Sequence, residues 1–456
     1  MLFSLANRQT KCVYYFSLLM VLPGVLFSYF LSDIHAGHGW IKAENLGWLT
    51  VFQFAYLTFF MLLAWWSSPR VQNIRNIALL IAVAVVARII LLPIDSYTSN
   101  DVDRYLFDGK IALSGLDPYR VNHNDPQLKE LKQAWSPPEE HAKYPTLYPP
   151  LSLGLFALVA SAGVDHAFWV WKFVITLSAI LTVLILALLL RKLQRLQHLP
   201  LIALSPLLIL ETGVGAHVDA ITTFMVSLAL YAFYSNRFLF SGFFIGLGVL
   251  TKILPIMLML PLFFGVKKIS HRLQLAAACL LTIFMGYLVT LLLGLIPIGS
   301  IATLFEKWRF GSPLFSLFES FADGQILLGI ALGFIFLGCF ILLYQSLNLD
   351  KTIEITNPIL PWSIGIILLV SPVVFPWYLM LLVPLISLSP RPVMMTWICS
   401  LPLTYEVLGG FSSAGIWSPA DWPLIIIAIG FLLSLYFELK HAKKPTTKPT
   451  TLRAHS

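Results

Sequence analysis

Apolar residues in this chain do not alternate with polar ones, nor do they trace a single stripe; they run on almost unbroken. The stretches 76–94, 173–190, 273–297 and 422–437 are close to apolar on every face, and each approaches or exceeds the roughly 20 residues that a helix needs to cross about 30 Å of hydrocarbon. In lipid a backbone must satisfy its polar groups within its own segment. The pattern therefore predicts an all-α fold, a polytopic transmembrane helix bundle. With the second and fourth stretches taken out to 167–190 and 422–439, further runs at 13–32, 47–66, 200–216, 218–235, 238–252, 253–266, 325–348, 359–375, 377–390 and 392–408 make about 14 crossings in all.

Composition agrees. Of 456 residues, 58% are hydrophobic and 11% charged, where an ordinary soluble domain has about 45–50% and about 25%. A soluble fold cannot hide so much apolar surface. The net charge of +8 sits at helix ends rather than in a basic domain, which argues against nucleic acid as a partner and for a topology signal. Cys12, Cys279, Cys339 and Cys399 have no short paired spacing and point to neither disulfides nor zinc. The run 13–32 is too long for a typical signal peptide and lacks a small-x-small cleavage site, so it reads as an uncleaved first span.

Lys and Arg accumulate on the cytoplasmic side of membrane proteins. With the N-terminus inside, Arg70 and Arg75 fall inside, and the third span leads out to a large loop, 95–147. The apolar stretch 148–164 begins Pro149-Pro150. If it crossed, Arg191, Lys192 and Arg195 would be outside, so it is expected to be a non-spanning helix. The remaining basic loops then agree, and of the 22 carboxylates only Asp350, Glu354 and Glu438 fall inside. The chemically equipped surface is the outer one. We expect one integral membrane domain over 1–439 and a disordered cytoplasmic tail over 440–456.

Three hairpin tips point outward: Glu211 to Asp219 (ETGVGAHVD), Thr251 to Pro255 (TKILP) and Val374 to Tyr378 (VFPWY). Broken helices at membrane depth are tolerated where they are buried in protein or line a cavity. Their convergence predicts an outward-facing cavity. In the loop, a helix from Asp101 to Leu113 would put Asp101, Arg104, Tyr105 and Asp108 on one face, with Ser99 or Asn100 as cap and Gly115 and Asp117-Pro118 as its end. Such a face is either a catalytic platform at the membrane surface or a solvated helix on which Arg104 pairs with Asp101 or Asp108.

The runs Asn100 to Lys110 (NDVDRYLFDGK), Gly115 to Tyr119 (GLDPY) and Tyr144 to Pro150 (YPTLYPP), followed by AHVDA at 216–220, TKILP at 251–255 and SPVVFPWYL at 371–379, resemble bacterial polyprenyl-phosphate-mannose-dependent mannosyltransferases. These are integral-membrane glycosyltransferases of the GT-C superfamily. The resemblance covers most of the chain, in order. The family's acidic pair before Arg-Tyr-Leu is Asn100-Asp101 here, and its often aromatic residue before the Arg is Asp103, so the essential carboxylate is Asp101 by alignment or else Asp103.

The resemblance implies an inverting hexosyltransferase, with mannose the expected sugar, a polyprenyl-phosphate donor, and a glycan or lipid acceptor outside the cytoplasm. A carboxylate would take the acceptor's proton, and the leaving lipid phosphate would need positive charge. Lys252 is the first candidate for that charge and Arg88 the second, because ionisable residues inside the membrane are functional candidates. Arg104, Tyr105 and Asp108 are expected to line the substrate site. His217 and Asp219 either orient the base or the sugar, or hold a divalent cation with Asp101 or Glu211. No cofactor is otherwise implied. Trp377 and Tyr378 would stack on sugar or lipid headgroup, though Trp and Tyr collect at membrane interfaces anyway. The rival readings are a secondary transporter or lipid-linked sugar flippase, and a glycan polymerase or ligase. The absence of an Asn-x-Ser/Thr sequon fits a bacterial inner membrane.

Overall fold

The computed structural model describes residues 2–38, 40–70, 73–300, 307–319, 321–322, 324–347 and 359–442. Among them the protein is all-helical, and the only strand-like pairing is a single bridge between Phe310 and Val373. Seven helices are long and apolar enough to cross a membrane: Gln9–His35, Ala43–Ser67, Val164–Lys192, Leu196–Gly213, Ile269–Leu292, Gly329–Leu347 and Trp422–Lys440. Shorter apolar helices of 10–17 residues accompany them, Asp219–Tyr234 and Phe238–Thr251 among them. The outermost helices are the least enclosed, with Ile269–Leu292 and Trp422–Lys440 each 17% buried. Apolar side chains left facing outward belong against lipid.

Several expected spans are broken, and proline accounts for the breaks. Over 200–216, a short helix Pro200–Ala203 ends and a new one starts at Pro206–Gly213, with Ser205 accepting from Leu208 N as its cap. Pro206 has no N–H to offer Ile202. Over 359–375 the Ile359–Leu369 helix gives way to extended chain, where Phe310 N donates to Pro372 O and Val374 N to Phe310 O. The run 377–390 is a 3-10 turn over Pro376–Leu382 followed by the helix Val383–Leu388. Over the expected tail, the Trp422–Ala442 helix occupies the first residues, and 443–456 lie outside the described residues.

One helix lies within the loop 95–147 and another follows it. Asp101–Leu113 is helical within the expected bounds. Ser99 Oγ accepts from Asp101 N at its start, while Asn100 makes no side-chain cap. Pro150–Ala160 follows, 11 residues or about 16 Å at 1.5 Å per residue, half the hydrocarbon thickness. The two lie in backbone contact: a Cβ on Gly109 would fall 2.3 Å from the Phe156 carbonyl, so only glycine fits there. Tyr105 stacks on Phe156 at 4.7 Å and meets the edge of Trp171 at 5.5 Å. This aromatic packing fixes the helix against Val164–Lys192 and sets which of its side chains face inward.

Candidate active site

A cavity of about 430 Å³ opens beside the Asp101–Leu113 helix, lined by Asp101, Arg104, Tyr105, Asp219, Lys252, Trp377 and Tyr378, with Tyr148, Trp308 and Trp417 among its further walls. Seven of the expected site residues, scattered over nearly 280 positions of the sequence, thus share one space. Asp101 stands at its floor. Its Oδ2 accepts from the Tyr105 hydroxyl at 3.2 Å and lies 3.3 Å from His217 Nδ1. The Tyr105 contact joins residues four apart on one helical face, as the spacing predicts.

His217 is wholly buried in the loop 214–218, beyond the Leu196–Gly213 span. Trp377 covers its ring, with centroids 3.9 Å apart and planes 11° from parallel. Its other nitrogen, Nε2, is 3.3 Å from Glu211 Oε2. These are charge contacts rather than well-aligned hydrogen bonds. Burial alone would lower the imidazole pKa, but the Asp101 and Glu211 carboxylates outweigh it and hold His217 up at about 9. Asp101 and Glu211 occupy opposite nitrogens of the ring, so the three do not converge on one point. Among the described residues no cluster of three or more His, Cys, Asp or Glu is arranged to hold a metal ion.

His217 and Asp219 have different partners rather than each other. Asp219 takes Lys252 instead, Oδ1 to Nζ 2.5 Å, and the ammonium sits 3.7 Å from the centre of the Tyr378 ring. Thr251, just before the lysine, shares a 2.9 Å hydroxyl contact with Thr222 and gives its carbonyl to Ser152. The helix end that carries Lys252 is thereby pinned to both neighbours. Arg104 is 3% exposed and pairs with neither Asp101 nor Asp108. Its guanidinium reaches Pro145 O at 3.5 Å and lies over the Tyr148 ring, while its Nε has no hydrogen-bond partner.

Four residues singled out by sequence do not line the cavity. Asp103 is exposed on the opposite side of its helix. Asp108 is buried against His123 Nε2 at 2.7 Å, under the loop that folds over the helix. His217 stands behind Asp101. Arg88 is buried elsewhere: its guanidinium donates to the carbonyls of Ala84 at 2.8 Å, Ala203 at 3.0 Å and Ile202 at 3.5 Å. Those last two belong to the helix that breaks at Pro206, so the arginine supplies donors where the proline has none.

Sequence reasoning passed over Lys172, and offered Glu211 only as a metal ligand. Lys172, buried in the Val164–Lys192 helix, donates from Nζ to Ile94 O at 2.8 Å and to Gly213 O. It clamps the two segments that lead to Asp101 and to His217. The signal was a lysine inside an otherwise apolar span. Tyr97, also unflagged, reaches from the same segment to Gln53 Oε1 at 2.8 Å and Ser28 Oγ at 3.1 Å, tying the site to the first two helices.

A carboxylate, an arginine, a lysine and several aromatic rings in one cavity are the equipment for handling a polyol next to an anion. No curated protein and no solved structure matches the chain. The family model described as alpha-(1->6)-mannopyranosyltransferase, N-terminal domain, matches residues 15–267. That stretch is more than half of the sequence and holds Asp101, Arg104, Tyr105, His217, Asp219 and Lys252. The chain accordingly belongs to the alpha-(1->6)-mannopyranosyltransferase family and is a mannosyltransferase of the GT-C type.

Proposed function

We propose that the protein transfers mannose from a polyprenyl-phosphate donor to a hydroxyl of a glycan or lipid acceptor, with inversion at the anomeric carbon, on the extracytoplasmic face of a bacterial inner membrane. The observation that carries this reading is the meeting of Asp101 with Arg104 and Lys252 at one cavity. Asp101 takes the acceptor's proton as the hydroxyl oxygen forms its bond to the anomeric carbon. The bond from that carbon to the phosphate oxygen breaks, and its electron pair stays on the lipid phosphate. A positioned base of this kind contributes roughly 10²–10⁴-fold.

The departing phosphate gains charge, and cations nearby favour that state over the ground state. Arg104 suits this role best, since its fork of donors has no carboxylate partner among the described residues and guanidinium matches phosphate geometry. Lys252 shares its charge with Asp219 and would face the phosphate as half of an ion pair. A β-linked donor would give an α-linked product by a single inversion, in keeping with the alpha-(1->6) linkage in the family's description. Trp377 and Tyr378 offer faces for the sugar.

The test is to incubate the purified protein with radiolabelled polyprenyl-phosphate mannose and, separately, the glucose donor and a nucleotide-linked mannose. Label should leave the lipid-linked mannose and enter an acceptor. Transfer from the nucleotide sugar alone would refute the donor assignment. For the side of the membrane, an Asp125→Cys variant in a background without the native cysteines should react with an impermeant thiol reagent in intact spheroplasts, and a Thr446→Cys variant should not. The reverse pattern would put the cavity in the cytoplasm.

A further inference from the structure

Behind Asp101 runs a line of buried groups that proton abstraction alone leaves without a use. Glu211 is wholly buried at the end of the Pro206–Gly213 helix. One of its oxygens accepts from the Tyr405 hydroxyl; the other faces His217, whose far nitrogen faces Asp101. The loop between them is wound tightly to achieve this. His217 N donates to Glu211 O at 3.1 Å, and Ala216 adopts a left-handed φ of 49°. A Cβ on Gly215 would fall 2.6 Å from His217 Nε2 and 2.8 Å from Glu211 Oε2, so any larger residue would push the ring and the carboxylate apart.

A buried carboxylate with no cation is costly. A neutral imidazole has one N–H and one lone pair, so it would turn a lone pair toward one of the two carboxylates. Only the doubly protonated ring has a donor for each. We propose that Glu211 and His217 form a positioning pair, in which Glu211 keeps His217 as an imidazolium and the imidazolium holds Asp101 ionised and aimed at the acceptor hydroxyl. The pair rests on Asp101 being the base. Trp377 lies flat on the ring and fixes its plane.

Other titratable and charged groups also face this line. Tyr105 and Tyr148 around Asp101, and Tyr97 near Glu211, are phenols that burial pushes above their ordinary range. Arg104 and the Lys252–Asp219 ion pair line the cavity beside Asp101. Of these groups His217 is the imidazole whose ring nitrogen faces Asp101 directly, 3.3 Å away, so a change in its charge is felt at the base.

Glu211→Gln keeps the shape and removes the charge that sustains the imidazolium. The alkaline limb of the kcat profile should move down by about one pH unit or more, a loss of at least roughly threefold at pH 8.5 that grows toward tenfold at higher pH, with the donor KM within about twofold of the parent. Glu211→Asp should restore part of that shift. A uniformly lower kcat with the limb unmoved would mean a purely structural role and would overturn the proposal, as would no change at all. If Glu211→Gln does not fold, the parent protein with ¹⁵N-labelled histidine gives the answer: of its 10 histidines, one ring should stay charged to about pH 9. No ring remaining charged above about pH 8 would overturn the pair. Full activity in Asp101→Asn would instead sink the base reading while leaving that ring's titration in place, so the two failures are distinguishable.

Discussion

Lys252 Nζ lies 2.5 Å from Asp219 Oδ1, and the pair joins two helix ends at the cavity wall. Asp219 is 4% exposed, and its second oxygen has no hydrogen-bond partner, so the lysine is its chief compensation. Removing one partner of such a pair costs about 3–5 kcal/mol, mostly as the other's stranded charge.

Lys252→Met should accordingly lower the unfolding temperature in detergent, while Lys252→Arg should not. The double variant Lys252→Met with Asp219→Asn should regain most of the lost stability yet keep a raised donor KM. A double variant as unstable as the single one would show that the pair is incidental.

Lys172→Met tests the clamp behind the site. It strands the carbonyls of Ile94 and Gly213, and an unsatisfied buried group costs about 1–3 kcal/mol. The unfolding midpoint should drop. Because those carbonyls lead to Asp101 and His217, kcat should fall further than donor affinity does. An unchanged midpoint would mean that water or a neighbouring donor replaces the ammonium.

The imidazolium gives stability a pH dependence of known sign. His217 is held at about 9 in the folded protein, against about 6.5 when unfolded. A group whose folded pKa is raised contributes fully below the unfolded value and loses that contribution as pH climbs through the folded one. Unfolding temperature should hence decline from about pH 6.5 to 9, and His217→Gln should flatten the decline. Parallel curves for parent and variant would contradict the charged state.

The sequence made the Asp101–Leu113 helix legible because local signals agree there: an Oγ cap at Ser99, an amphipathic face and a glycine stop. Tips at broken helices could likewise be read as converging, since lipid permits such breaks only beside protein or a cavity. Helical spacing was a poorer guide over longer distance. Asp108 shares a face with Asp101 but stands seven residues on, about 10 Å along the axis, where His123 covers it. A buried cation announces that it must have partners without naming them. Arg88 found carbonyls left over at a proline break, and Lys252 found Asp219. Tyr405, almost 200 positions beyond Glu211, carried no sequence signal of its link to the site.

The proposed mechanism turns on Asp101 as the base of the transfer. Asp101→Asn keeps the size of the side chain and its contact with Tyr105 while removing the proton acceptor. Transfer from radiolabelled polyprenyl-phosphate mannose should then fall by about 10²–10⁴-fold, with donor binding near that of the parent and the protein still folded, its unfolding temperature lowered by the loss of the Asp101–His217 contact. Asp103→Asn, exposed on the other side of the helix, should retain most activity. Full transfer by Asp101→Asn, or its loss in Asp103→Asn instead, would rule out Asp101 as the base.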